Sequence, residues 1–208
     1  LLMPDSAAFP CPKRLAFDAL APRWDSLKPD EAVAAGTRRG LSLLGDLSGR
    51  DVVDLGCGTG RLEEVLLPQL GEGTVVAVDF SPGMIEQASR RCGDPRVTWL
   101  CRDVLETGLS SGSADVVLCF DAFPHFPNGA AVLREAARWL RPGGVFVLWH
   151  DVGREQLARV HRRAGPAVEN DLLPPVGDLA RLAAAAGLEV VIAEEDEVSY
   201  TFLARRAG

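Results

Sequence analysis

Several things are scarce or missing in this 208-residue chain, and each absence excludes something. No apolar run approaches the roughly 18 residues that a membrane-spanning helix needs, so no association with a membrane is expected. The opening stretch "LLMPDSAAFPCP" places no basic residue ahead of an apolar segment and is broken by proline, which argues against a signal peptide and for a cytoplasmic protein. The five cysteines (Cys11, Cys57, Cys92, Cys101 and Cys119) are odd in number and form no CxxC pair, so neither a disulfide framework nor a zinc knuckle is indicated. Long basic runs are also missing. "TRRG", "SRRC" and "HRRAG" are short and scattered, and with a net charge of −7 the chain would repel a phosphate backbone, which disfavours a nucleic-acid partner. There is no internal repeat, no low-complexity tract and no linker marking a second globular domain.

What is present is a soluble-type composition, 47% hydrophobic and 25% charged, with a regular alternation of patterns. From Asp51 onward the segments "VVDL", "TVVAVDF", "RVTWL", "ADVVLCF", "GVFVLWH", "LEVVIAEED" and "SYTFLARR" read as strands. Between them "RLEEVLLPQL", "SPGMIEQASRRC", "NGAAVLREAARWL" and "VGDLARLAAAA" carry apolar residues at helical spacing. Apolar strands alternating with such helices predict an α/β fold, a doubly wound and mostly parallel sheet covered on both faces. Ser81 before Pro82, and Asn128, are the expected helix caps, and Gly143 and Gly144 are expected to stop the helix that precedes them. Residues 1–45 read as short amphipathic helices, expected either to fold over a cleft as a lid with Phe9, Phe17 and Trp24 inward and Asp18 and Asp25 at the rim, or to pack on the sheet edge. Residues 46–208 form the main domain, with an insertion at 153–175.

The segment "VVDLGCGTGRL" joins the first strand to the first helix of that domain. Glycines in such a turn let backbone approach a ligand closely, and the following helix offers unpaired amides. A dinucleotide fingerprint is GxGxxG; here Gly56, Gly58 and Gly60 read GxGxG and Arg61 stands where the third glycine would be, which counts against NAD. Asp79 closes the second strand, where a carboxylate reaches ribose hydroxyls in doubly wound folds.

Together "VVDLGCGTGRL", "VVAVDFSPGMIEQA", "CRDVLE", "ADVVLCFDAFPHF" and "LRPGGVFVLWHD" resemble the successive motifs of class I S-adenosylmethionine-dependent methyltransferases, in order, over residues 51–151. The resemblance implies a seven-stranded Rossmann-like sheet with its last strand antiparallel and S-adenosyl-L-methionine as cofactor. It implies that Asp54, Gly56, Cys57, Gly58 and Gly60 shape the pocket for the methionine end, that Asp79 binds the ribose hydroxyls, and that Phe80 and Met84 pack near the adenine. Asp103, with the Val104 amide, would meet the adenine amino group, and Phe120 would begin the stretch beneath the methyl donor. The residues allow plainer roles too: Asp79 as a helix cap, "RDVLE" as an ordinary polar loop.

In an open α/β sheet, ligands lie beyond the carboxyl ends of the strands. All three histidines are placed there: His125 after the fourth strand, His150 at the end of the fifth, and His161 in the insertion. Methyl transfer to a hydroxyl or ammonium needs a proton removed, and imidazole suits that task. The three are therefore the candidate catalytic residues, expected to face one cleft, with a packing role for His125 and a solvated helix face for His161 as the alternatives. No HxxxH spacing enforces a metal, although the histidines with Asp151, Glu169 or Asp171 could supply ligands. The expected activity is methyl transfer to a small-molecule substrate, "DAFPHF" lacking the NPPY-type motif of many base-methylating enzymes. The alternatives are a non-catalytic protein that binds S-adenosylmethionine or S-adenosylhomocysteine, and a metal-dependent methyltransferase.

Overall fold

The β-branched and apolar runs do form the strands. The computed structural model describes residues 11–208 and contains a seven-stranded sheet in the order β3-β2-β1-β4-β5-β7-β6. The strands are β1 (Val52–Leu55), β2 (Val75–Asp79), β3 (Val97–Cys101), β4 (Ala114–Phe120), β5 (Leu140–His150), β6 (Leu188–Glu195) and β7 (Tyr200–Arg206). The helices are α1 (Pro12–Leu20), α2 (Asp30–Leu41), α3 (Arg61–Leu70), α4 (Pro82–Arg91), α5 (Gly129–Trp139), α6 (Arg154–Ala164) and α7 (Val176–Ala185). A doubly wound, mostly parallel α/β sheet is the architecture that the alternation predicts, and the antiparallel last strand is the one that the resemblance implies.

The chain divides into two compact units at Thr107 and Gly108. In the first unit β1 pairs with β2 and β2 with β3, all parallel, so that Asp54 stands opposite Ala77 and Asp79 opposite Cys101. All four residues of β1 are buried, as in a strand covered on both faces. Ser81 caps α4 by accepting from the Met84 amide at 3.2 Å, and Pro82 follows at the first turn, where its missing N–H costs nothing. The N-terminal segment belongs to this unit: α1 is followed by a 3₁₀ turn (Ala21–Leu27), and then by α2. Phe9 lies outside the described residues.

In the second unit β4 pairs parallel with β5, and β7 runs antiparallel between β5 and β6. Its core holds the fully buried Trp139, Trp149, Phe146 and Phe202. Asn128 caps α5 by accepting from the Ala131 amide at 3.0 Å. The end of α5 differs from the expectation built on Gly143 and Gly144. The helix stops at Trp139 and Leu140 is already extended, with ψ 139°. Pro142 is the physical reason, since proline cannot continue a helix and disfavours helical backbone in the residue before it. Gly143 (φ 77°) then lies inside β5, where the register against β4 shifts between Ala114 and Val116. Among the described residues no helix is long and apolar enough to cross a membrane.

Candidate active site

In the first unit, the turn after β1 is left-handed at Gly56 (φ 73°), Gly58 (φ 55°) and Gly60 (φ 77°). At Gly60 a Cβ would also come within 2.8 Å of the Trp99 ring and 3.1 Å of the Ala88 Cβ, so only glycine fits. The turn is gripped by Asp79 at the end of β2. Its Oδ2 accepts from the Gly58 amide at 3.0 Å and its Oδ1 from the Ser81 amide at 2.9 Å. Both oxygens are thereby fixed at a strand end, and each keeps acceptor capacity for a further donor. Burial pushes the Asp79 carboxyl up to about 6, while the amides of Ser81 and Gly58 draw it down and Asp18 raises it. A pair of adjacent hydroxyls, each a donor, is the ligand such a carboxylate fits.

Behind the turn lies a second acidic feature. Asp54, 2% exposed, and Glu63, fully buried in the first turn of α3, form a buried, electrostatically interacting acidic pair. Burial raises both groups above the ordinary carboxylate range, and the charge of Asp54 raises Glu63 further, as that of Asp79 does Asp54. Cys57 beside them is likewise pushed up by burial and is an inert thiol. Met84 is buried, and Phe80 meets Phe17 edge-on at 5.7 Å. Val104 is buried, whereas Asp103 is exposed and its Oδ1 accepts from the Leu105 amide at 2.9 Å as the cap of a short 3₁₀ turn.

The N-terminal segment is pinned to this turn by carboxylates. Asp18 Oδ1 accepts from the Ser81 hydroxyl at 2.5 Å and from the Gly83 amide at 3.1 Å. Asp25 accepts from the Thr59 hydroxyl at 2.6 Å and pairs with Arg91, while Arg61 bonds Asp30 at 2.7 Å and the Lys28 carbonyl at 2.9 Å. Arg61, the residue that replaces the third glycine of a dinucleotide fingerprint, is thus an anchor for the segment that precedes α2.

In the second unit the histidines fall into two groups. His125 Nδ1 donates to Asp171 Oδ2 at 2.7 Å, and His161 Nδ1 donates to the Asp171 carbonyl at 2.6 Å. The two rings lie 4.9 Å apart. A carbonyl and a carboxylate only accept, so both rings carry their proton on Nδ1 and turn a basic Nε2 outward from Asp171. His161 is 6% exposed and does not lie on a solvated face of α6. His150 has different company. It is fully buried, with Asp121 Oδ1 3.2 Å from its Nδ1 and the Tyr200 ring 6.2 Å away at a right angle. Phe120 stacks on Trp149 at 4.9 Å. Among the described residues no group of three or more His, Cys, Asp or Glu side chains is arranged to hold a metal ion.

Sequence reasoning missed Asp121, Glu63 and the positioning role of Asp171. A strand end marks Asp121 and a helix start marks Glu63, but nothing near "ENDLLPP" announces that it returns to a histidine 46 residues earlier.

The fold is the one found in solved S-adenosylmethionine-dependent methyltransferases, and residues 52–144 match a family described as a methyltransferase domain. Among curated proteins the chain is 29% identical over 132 residues to a malonyl-(acyl-carrier protein) O-methyltransferase of Acetivibrio thermocellus, covering 64% of this chain and 46% of the relative. It is 33% identical over 139 residues to a ubiquinone biosynthesis O-methyltransferase of Xanthomonas oryzae pv. oryzae, covering 64% and 57%. The chain thus spans about half the length of these curated relatives. Among solved structures, a chain of the complex between the Haloferax volcanii Trm112 methyltransferase activator and its methyltransferase partner matches with a TM-score of 0.77 at 19% identity, over 92% of this chain and 98% of that one. An S-adenosylmethionine-dependent methyltransferase from Aquifex aeolicus matches with a TM-score of 0.72 at 20% identity, over 90% and 97%. The cofactor of this domain class is S-adenosylmethionine, and Asp79 with the three left-handed glycines fits its ribose and its close backbone contact.

Proposed function

We propose that the protein methylates a hydroxyl group of a small-molecule acceptor. The observation that carries this reading is the pair of imidazoles whose Nδ1 protons are both committed to Asp171. A hydroxyl must lose its proton as its oxygen is methylated, and an imidazole with a basic Nε2 receives it. A carboxylate acceptor, which the malonyl-named relative implies, is already deprotonated and would leave such a base idle. Of the three histidines His125 is the base: its side chain is 16% exposed, against 6% for His161 as a residue and none for His150. Asp171 holds the ring in one tautomer and steadies the imidazolium once the proton has arrived.

S-adenosylmethionine, when bound, supplies a methyl group already activated by its sulfonium. The chain's part is to hold and orient. Asp79 takes the two ribose hydroxyls, Gly56, Cys57, Gly58 and Gly60 give close backbone approach, and Asp54 lies at the methionine end. Phe80 and Met84 would pack near the adenine, Asp103 and the Val104 amide would meet its edge, and Phe120 would lie beneath the methyl donor. The segment of α1 and the following 3₁₀ turn serves as the lid.

The test is formation of S-adenosylhomocysteine from S-adenosylmethionine with 4-hydroxybenzoate, a vicinal diol and a malonyl thioester as probes, followed by mass spectrometry. Methylation of a hydroxyl probe that disappears in His125→Ala is the expected result. Methylation of the malonyl probe alone, or S-adenosylhomocysteine binding without turnover of any probe, would overturn the reading.

A further inference from the structure

We infer that Asp121 is an acceptor-binding residue: its carboxylate takes a hydrogen bond from the acceptor at the end of β4. Asp121 adopts φ 52°, and every other positive-φ position among the described residues is glycine. Left-handed backbone costs a residue with a Cβ free energy, and outside glycine it persists where the surrounding structure enforces it, most often at functional sites. Glycine would make this turn without that cost, so the carboxylate is kept for a reason other than the turn.

Its surroundings hold it in place. The Asp121 amide donates to the Trp149 carbonyl at 3.1 Å, and Oδ1 accepts from the Asp151 amide at 3.4 Å while facing His150 Nδ1 at 3.2 Å. Trp149 and His150 close β5 and Asp151 follows it, and Trp149 is in turn stacked on Phe120. The exposure is divided unequally: the Asp121 side chain is 36% exposed, the His150 side chain not at all. His150 therefore backs the carboxylate, and the carboxylate is the part that a ligand can touch. It lies at the carboxyl end of a central strand, where ligands of open α/β sheets bind, and directly precedes the 3₁₀ turn (Phe123–His125) that carries His125. An ionised carboxylate only accepts, so the group it recognises is an O–H or N–H of the acceptor. His150, the strongest candidate base by sequence position, becomes a positioning residue.

This rests on the methyltransferase reading only for its choice of substrate, and the experiment separates the two. Asp121→Asn keeps the shape and tolerates left-handed backbone; it should raise KM for whichever hydroxyl probe is methylated at least tenfold. Its kcat should change less than threefold and its S-adenosylhomocysteine affinity less than twofold. Asp121→Gly should melt no lower than the parent protein, because relief of backbone strain offsets the lost contacts. An unchanged KM in Asp121→Asn overturns the proposal. So does a fall in Tm of more than about 5 °C in Asp121→Gly, which would make the carboxylate a structural tie between strand ends. If no probe is methylated, the hydroxyl-methylation reading fails by itself and the melting comparison still decides for or against Asp121.

Discussion

In the unit of residues 11–107 the Asp79 carboxylate accepts from the Gly58 and Ser81 amides, Asp54 and Glu63 form a buried acidic pair, and burial raises all three. In the unit of residues 108–208 Asp121 and Asp171 each face an imidazole instead. The two arrangements suit different tasks. A carboxylate steadied by amides is a fixed acceptor, fit to recognise hydroxyls without taking part in chemistry. A carboxylate that holds an imidazole in one tautomer lends that ring to proton transfer. Recognition and proton transfer are thus built from the same residue type by a change of neighbour.

The largest expected effect tests the second arrangement. His125→Ala should lower kcat for a hydroxyl probe by about 10² to 10⁴, the usual worth of a general base, and leave cofactor affinity within twofold by calorimetry. A matching loss in Asp171→Asn of about tenfold or more would show that the pair acts together. Loss of cofactor affinity in His125→Ala would erase the division of tasks. The first arrangement is tested next: Asp79→Ala should weaken S-adenosylhomocysteine by about 1.5 to 3 kcal/mol, the contribution of hydrogen bonds to a charged acceptor.

A pH series sharpens the comparison. In the proposed site the ribose hydroxyls would donate to ionised Asp79, whose carboxyl in the free protein is raised to about 6. Affinity should therefore be level well above that pH and fall as pH drops through it, by about fivefold between pH 6 and pH 5, through linkage to a single proton. In Asp79→Asn this dependence should vanish. The smallest effect concerns the anchor: Asp18→Ala removes the acceptor for the Ser81 hydroxyl and the Gly83 amide. It should cost about 1 kcal/mol in thermal unfolding and speed cofactor dissociation in stopped-flow, as a loosened lid would.

The same contrast explains what the sequence revealed. The glycine turn, Asp79 and the capping Ser81 are local, each a few residues from a strand end, and the periodicity that locates the strands locates them too. The alternation likewise marked all seven strands and the helices between them. The histidine groups are not local. Asp171 reaches His125 across 46 residues, and the pairing of His150 with Asp121 depends on the packing of neighbouring strand ends. Sequence position favoured His150, at the end of a central strand; burial favours His125 instead. The end of α5 was misplaced for a different reason, because two conspicuous glycines drew attention from Pro142, which acts earlier in the chain.

The place of β7 in the sheet also governs how the second unit can be made. β7 lies between β5 and β6, and the pairing of β6 is with β7. As the chain leaves the ribosome, β6 emerges first and must wait, its edge uncovered, until residues 200–206 arrive and slot in between. Assembly of this unit is therefore completed only by β7, and a chain halted before Tyr200 would present an unpaired strand, the kind of surface on which chaperones act and nascent chains aggregate.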